Sequence, residues 1–292
     1  MRSSDLARLV ALAIIWSLSF VFQRVLVPAL GPMWTATLRV LIAGAALVAW
    51  FAVTGLNAEV RRHWRAYLFV GALNSALPFV LFAFAAQYLP ASYLVIMNAA
   101  APLFAAVAAA AWLGDRLTPR KLAGLALGAA GVTIVSRAGP IEPDTTFVVA
   151  VAASLVAALC YALAGVWLKR HGAQLKPVAI AGWSQLFAAF VLLPVASTST
   201  IPVAPTLATV ANMLALALLC SGVAYLLYYR LIADVGPTKA MTVTFLMPAF
   251  GMAWGALFLG EQVTPAMVAG AAMIVAGTAA VLQQGAMRRA AG

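Results

Sequence analysis

The sequence predicts an all-α integral membrane protein: ten transmembrane helices forming two inverted five-helix repeats. Three observations carry that expectation. Hydrophobic residues make up 65% of the 292 residues and charged residues only 9%, with a mean hydropathy of +1.03. An ordinary soluble domain carries about 25% charged residues, so a water-facing shell cannot be assembled from so few. The apolar residues fall in long runs separated by turn chemistry. Finally, Pro102, Gly114, Asp115, Thr118, Pro119, Gly124 and Gly131 return 146 positions later as Pro248, Gly260, Glu261, Thr264, Pro265, Gly270 and Gly277.

In lipid, every backbone N–H and C=O must be satisfied within the chain, which leaves helices or a closed barrel. The runs are too long and too continuous for the alternating strands of about ten residues that build barrels. At about 20 residues per crossing, the predicted helices occupy residues 6–27, 33–54, 66–88, 92–113, 121–136, 146–168, 177–196, 207–231, 239–259 and 265–283. The breaks between them hold turn formers. Residues 28–32 carry two prolines and a glycine, 55–65 open on Gly55, and Pro90 parts the third run from the fourth. Gly114 to Arg120, Gly139 to Asp144, His171 to Pro177, Pro202 to Pro205, Gly236-Pro237 and Gly260 to Thr264 supply the others. The fifth run is the shortest.

Charge sets the orientation. With both termini in the cytoplasm, fifteen of the eighteen Lys and Arg residues lie inside, and only Arg24, Arg39 and Arg137 fall at or beyond the outer half. The opposite orientation reverses that ratio against the positive-inside rule. The repeated turns agree: Asp115 to Lys121 is rich in bases and internal, whereas Gly260 to Ala266 has lost its bases and lies outside. Five crossings per half place the second copy upside down. The earlier parts of the halves match at a shift of 145, pairing Trp16 with Tyr161, Arg24 with Lys169 and Pro32 with Pro177. The repeats occupy residues 1–140 and 141–292, within one membrane unit.

The net charge of +11 resides in short basic clusters between apolar runs, a topology signal and not a nucleic-acid footprint. Cys160 and Cys220 fall near the middles of predicted spans and read as packing residues, with no metal or disulfide expected. The N-terminal run has no small-residue cleavage site and reads as a retained first span.

Trp16-Ser17-Leu18-Ser19-Phe20 in the first span resembles the opening pattern of the drug/metabolite transporter superfamily, EamA type. Arg39 in the second span and the doubled pattern of Pro, Gly-acid-x-x-Thr-Pro and spaced glycines carry the same resemblance over essentially the whole chain. It implies ten helices, with spans three, four, eight and nine around a central cavity and spans five and ten at the periphery. Within the superfamily the chain looks most like bacterial exporters of aromatic amino acids.

Trp16, Ser19, Phe20 and Gln23 share one face of the first span, at i, i+3, i+4 and i+7. Such a stripe suits a cavity for an amphipathic solute, or ordinary packing with Gln23 at the outer interface. The third span offers Asn74, Pro78 and Phe82, with Ser75 beside them; a proline frees carbonyls for a ligand or water. The fourth adds Tyr93, Met97 and Asn98. An asparagine in lipid must face protein or water, either as a substrate contact or as an interhelical bond. In the second half Tyr161, Trp183, Gln185, Ser221, Tyr225, Thr244 and Phe245 occupy comparable places, while Tyr228 and Tyr229 fit the interfacial aromatic belt, as Trp183 also could. Pro102 and Pro248 are repeat mates, serving as hinges or as static bends. Arg39 is the one base well inside a span. It offers a fork of donors to a substrate carboxylate, or it snorkels outward or caps carbonyls, and the structural role is preferred. Gly124, Gly128, Gly131, Gly270 and Gly277 give two helices small surfaces for close approach.

All seven acidic residues and both histidines fall in loops or at span ends, which argues against a proton relay through the bundle. No phosphate-binding loop and no set of groups for membrane-embedded catalysis is present. The expected activity is passive or gradient-driven export of amino acids, aromatic or otherwise neutral, and of related metabolites by alternating access. A multidrug or quaternary-amine carrier is the alternative. Neither a cofactor nor nucleic acid is expected; the partners are a small solute and membrane lipid, the default state is a monomer, and the setting is the bacterial inner membrane.

Overall fold

The computed structural model describes residues 2–290, the side chains of Tyr229, Pro237, Thr238 and residues 283–290 excepted. The chain is helical almost throughout: α1 (Ser3–Thr54), α2 (Val60–Ala85), α3 (Ala91–Leu113), α4 (Pro119–Ala138), α5 (Thr145–His171), α6 (Pro177–Ala196), α7 (Leu207–Val235), α8 (Val243–Leu259) and α9 (Pro265–Ala290). A single turn at Pro237–Ala240 precedes α8. Eight of these helices are long and apolar enough to cross a membrane, and α8 is a shorter apolar helix. Their outward side chains are themselves apolar: Phe190, Val195, Leu257 and Phe258 are all more than half exposed. Such a surface needs lipid around it, and the protein is a multi-pass membrane protein.

The first two predicted runs form one helical element with a break inside it. Gly31 stands at φ 75° and ψ 163°, between Pro28 and Pro32. Glycine tolerates the positive φ, and Pro32 has no N–H with which to carry the helical ladder through. The break is buttressed from residues 199–203: Trp34 Nε1 donates to the Ser199 carbonyl at 3.0 Å, and Val203 N–H to the Ala29 carbonyl at 3.2 Å. Two arms result, residues 3–30 and 32–54.

Elsewhere the boundaries differ by a few residues. Helix α2 begins at Val60 and not at 66, because the turn holding Arg61, Arg62 and Arg65 is helical though polar; hydropathy marks the apolar stretch and misses a solvated first turn. Helix α3 is interrupted at Ala99–Ala100, just ahead of Pro102, whereas Pro248 lies inside an unbroken α8. The two prolines therefore do not bend their helices alike. Helix ends follow the predicted turn chemistry. Gly114 and Gly260 close α3 and α8 with nearly equal left-handed φ of 69° and 65°, and Thr118 and Asp144 accept N–H bonds from Lys121 and Phe147 as N-caps of α4 and α5.

The predicted small surfaces meet one another. A Cβ at Gly124 would come 2.7 Å from the Gly277 carbonyl, and one at Gly131 would come 2.6 Å from that of Gly270. Helices α4 and α9 thus pack backbone on backbone, and antiparallel, since rising numbers on one meet falling numbers on the other. Two segments depart from α-helical bonding: π-helical turns at Ala72–Ala76 in α2 and Ala215–Val223 in α7. Single π turns recur at functional sites because they rotate side chains out of register.

Candidate substrate chamber

The first arm of α1 carries Trp16 and Phe20 into the bundle, and aromatic rings from two other helices meet them, with a third helix adding a ring behind. Trp16 lies 6.1 Å from Tyr225 and 5.1 Å from Tyr228 between ring centres, both on α7. Phe20 meets Phe82 of α2 edge-on at 5.3 Å, and Phe82 stacks on Tyr161 of α5 at 6.3 Å. These separations are those of attractive aromatic pairs. Trp16, Tyr161, Tyr225 and Tyr228 each remain only half-buried, although all four are packed into this ring cluster.

A polar seam runs beside the rings. Asn74 Nδ2 donates to the Tyr225 hydroxyl at 3.2 Å, with Ser75 next to the same hydroxyl. The second arm of α1 brings Arg39, whose Nε donates to Ser221 Oγ at 2.8 Å while its guanidinium lies 3.8 Å above the Phe79 ring. Gln185 of α6 donates from Nε2 to the carbonyls of Ser221 and Ala181, both at 3.0 Å. Asn74 and Ser75 belong to one π-helical turn and Ser221 to the other. The loosened backbone of both helices therefore faces the same seam. Among the described residues Gln185 Oε1 is buried there without a hydrogen-bond partner, a place where a water or a polar solute atom would be held favourably.

The structure thus brings together Trp16, Phe20, Asn74, Tyr161, Gln185, Ser221, Tyr225 and Arg39, with Pro78 buried in the turn after the α2 π segment. The other predicted residues make other contacts. Tyr93 is fully buried, edge-on to Phe147 at 5.8 Å, with its hydroxyl against Gly139. Met97 is sealed in the main core, and Asn98 beside it is half-buried. Trp183 packs toward Phe187 and the Leu47–Phe51 cluster. Thr244 turns its hydroxyl to the Met241 carbonyl at 2.8 Å, with Phe245 half-buried alongside. Pro102 and Pro248 are both buried.

Three readings change. Gln23 is buried and leans on the Ser19 carbonyl at 3.5 Å, away from any interface. Arg39 neither snorkels nor caps a carbonyl, since it is 5% exposed and bonds to a hydroxyl. Tyr228 stacks inside on Trp16 and is no belt residue, whereas the side chain of Tyr229 lies outside the described residues. Phe79 and Trp254, which donates to Ser17 Oγ at 3.1 Å, escaped sequence reasoning. Each sits in an apolar helix where nothing marks one aromatic from the next, although Phe79 is one turn from Ser75 and could have been sought there.

Comparison with known proteins agrees with this architecture. The EamA-like transporter family matches residues 6–137 and again residues 148–283. A probable terminal-alkyne amino-acid exporter of Streptantibioticus cattleyicolor is 27% identical over 271 residues, covering 92% of this chain and 90% of that one. An uncharacterized transporter of Bacillus subtilis, YvbV, is 26% identical over 266 residues, covering 90% of this chain and 87% of its own. Protein PecM of Dickeya dadantii is likewise 26% identical over 266 residues, covering 89% and 86%. A crystal structure 20% identical in sequence shares the fold, with a TM-score of 0.68 over 96% of each chain.

Proposed function

Because the chain belongs to the EamA-like transporter family, whose members are transporters and not enzymes, we propose that it exports amino acids, aromatic or otherwise neutral, and related small metabolites as a secondary transporter or facilitator. The observation that carries this reading is the ring cluster of Trp16, Phe20, Phe82, Tyr161, Tyr225 and Tyr228 beside a hydrogen-bonding seam. An amphipathic solute needs both: stacking for its apolar part and donors for its polar part. The similarity to an amino-acid exporter points the same way. A buried guanidinium in the seam disfavours the multidrug or quaternary-amine reading, since it repels a cation.

Transport proceeds by alternating access between two inverted halves, residues 1–140 and 141–292. Taking the two arms of α1 as separate crossings makes ten in all, with both termini in the cytoplasm of a bacterium. The antiparallel meeting of α4 with its repeat mate α9 through matched glycines supports the inversion, because two-fold-related helices of inverted repeats run oppositely.

The test uses purified protein in liposomes, supplied with labelled tryptophan, threonine, methyl viologen or phosphate, with and without a pH gradient. Saturable tryptophan uptake that does not need the gradient is expected, lowered about tenfold by Trp16→Ala and by Tyr225→Ala at unchanged expression, the effect of losing about 1.4 kcal/mol of stacking and hydrogen bonding. Phosphate flux alone, or variants that behave as wild type, would overturn the reading. Tags in the turns after Leu113 and Leu259 test the inversion and should label from opposite sides.

A further inference from the structure

Arg39 is buried, yet the protein uses little of its bonding capacity. A guanidinium offers five N–H donors. Among the described residues only Nε is engaged, by Ser221 Oγ at 2.8 Å, so the four donors on the two terminal nitrogens remain. Among the described residues no carboxylate lies within 4.0 Å of it. Removing a charge from water without an anion is costly, and the cost falls at mid-bundle, where the fold could have placed an apolar residue.

The repeat shows that it could have placed a neutral one. At the shift of 145 that pairs Pro32 with Pro177, position 39 falls on Ser184, next to Gln185 on the matching helix of the other half. Both side chains converge on Ser221, Arg39 on its hydroxyl and Gln185 on its carbonyl. Gln185 Nε2 donates to two carbonyls, whereas Arg39 leaves its outer fork unpaired among the described residues. The charge is therefore carried by one half only. Phe79 covers one face of the guanidinium at 3.8 Å and Ser221 fixes its inner edge. Tyr161 and Tyr225, of the ring cluster, are within electrostatic reach of it. A held fork with its open edge unpaired matches the two oxygens of a carboxylate.

The geometry points to Arg39 as the carboxylate-recognition residue of the chamber, with Ser221 and Phe79 holding the guanidinium in place. This rests on the amino-acid reading and deepens it. The carried solute bears a carboxylate beside its aromatic or apolar part, and an analogue without that charge binds poorly.

The experiment measures inhibition of tryptophan uptake by indole-3-propionate and by its neutral amide, in wild type, Arg39→Gln and Arg39→Lys. Arg39→Gln keeps a polar side chain there and removes the charge. In wild type the acid should inhibit about tenfold better than the amide, the discrimination expected of one charge-assisted bidentate pair. In Arg39→Gln that preference should vanish, and in Arg39→Lys it should shrink. A variant that transports more slowly but keeps the same acid-to-amide ratio shows a packing role and overturns the proposal. Should Arg39→Gln fail to reach the membrane, the ratio in Arg39→Lys decides alone.

If wild type moves no tryptophan, the amino-acid reading fails by itself, and the site is read from thermal unfolding in detergent with the same two compounds. Stabilisation by the acid, absent with the amide and absent in the variants, sustains the carboxylate site. No shift in wild type, or an equal shift with chloride, refutes it.

Discussion

The two repeats close α3 and α8 with the same backbone and then part company. Gly114 and Gly260 take the same left-handed turn, and the next N–H reaches back to an equivalent carbonyl: Asp115 to Ala109 at 3.3 Å, Glu261 to Gly255 at 3.1 Å. The side chains then do different things. Glu261 crosses to the other repeat and accepts from the free N–H groups of Ala91 at 2.6 Å and Ser92 at 3.0 Å, capping α3 in trans. Asp115 instead lies 3.7 Å from Lys169, an ion pair roughly half exposed on both sides. The reason is chemical. The position matching Ala91 is Pro237, which has no N–H to give, and aspartate is a methylene shorter. The turn held by Glu261 is gripped at its other end too, where Arg24 Nη1 donates to the carbonyls of Ala86 and Gln87. One end of the bundle is pinned by a carboxylate on two backbone N–H groups; at its repeat mate the acid makes a solvated ion pair, beside an exposed bond from Arg170 Nη1 to the Trp112 carbonyl at 3.2 Å. On the alternating-access reading, Glu261 must release Ala91 and Ser92 before the pinned end can part.

The difference can be broken experimentally, most severely at Glu261. Glu261→Ala strands two helix N-terminal donors and should lower unfolding stability in detergent by about 3 kcal/mol, at about 1.5 kcal/mol per charge-assisted bond. Glu261→Gln should fall between, keeping one acceptor without the charge. Wild-type stability in Glu261→Ala would show that the pin is ornamental.

A smaller loss follows at the other grip. Arg24→Ala removes one donor shared by two carbonyls at a helix C-terminus, worth about 1–2 kcal/mol. Because it acts on the same turn, its combination with Glu261→Ala should be less than additive in a double-mutant cycle; full additivity would mean that the two grips are independent.

The least effect belongs to the solvated side. Asp115→Ala and Lys169→Ala should each cost less than about 0.5 kcal/mol, as exposed pairs do, and the remaining difference should fade in high salt. A loss comparable to that of Glu261→Ala would erase the contrast between the two ends.

How much of this was readable from residues differs by kind of contact. The glycines at 124, 131, 270 and 277 announced a close helix pair, because only a missing side chain lets two backbones approach within a few ångströms. Trp16 and Phe20 announced an inward stripe through their spacing along one helix. Tyr228 was misread, because its depth along α7 says nothing about which way the helix faces, and the π-helical turn at Ala215–Val223 shifts that direction. Arg39 reads as a snorkelling or carbonyl-capping base because it begins about two turns below the outer surface, and its partner Ser221 lies 182 residues away.

Composition and periodicity alone determined that the chain is a bundle of apolar helices, where its turns fall and that its halves are copies, because these follow from local backbone satisfaction in lipid and from residues close in sequence. Only the tertiary structure decided which faces meet: the rings around Trp16, the unpaired fork of Arg39 between two loosened helices, and the carboxylate that pins one end and not the other. Those contacts join segments far apart in the chain, and helical spacing specifies a face without specifying what lies opposite.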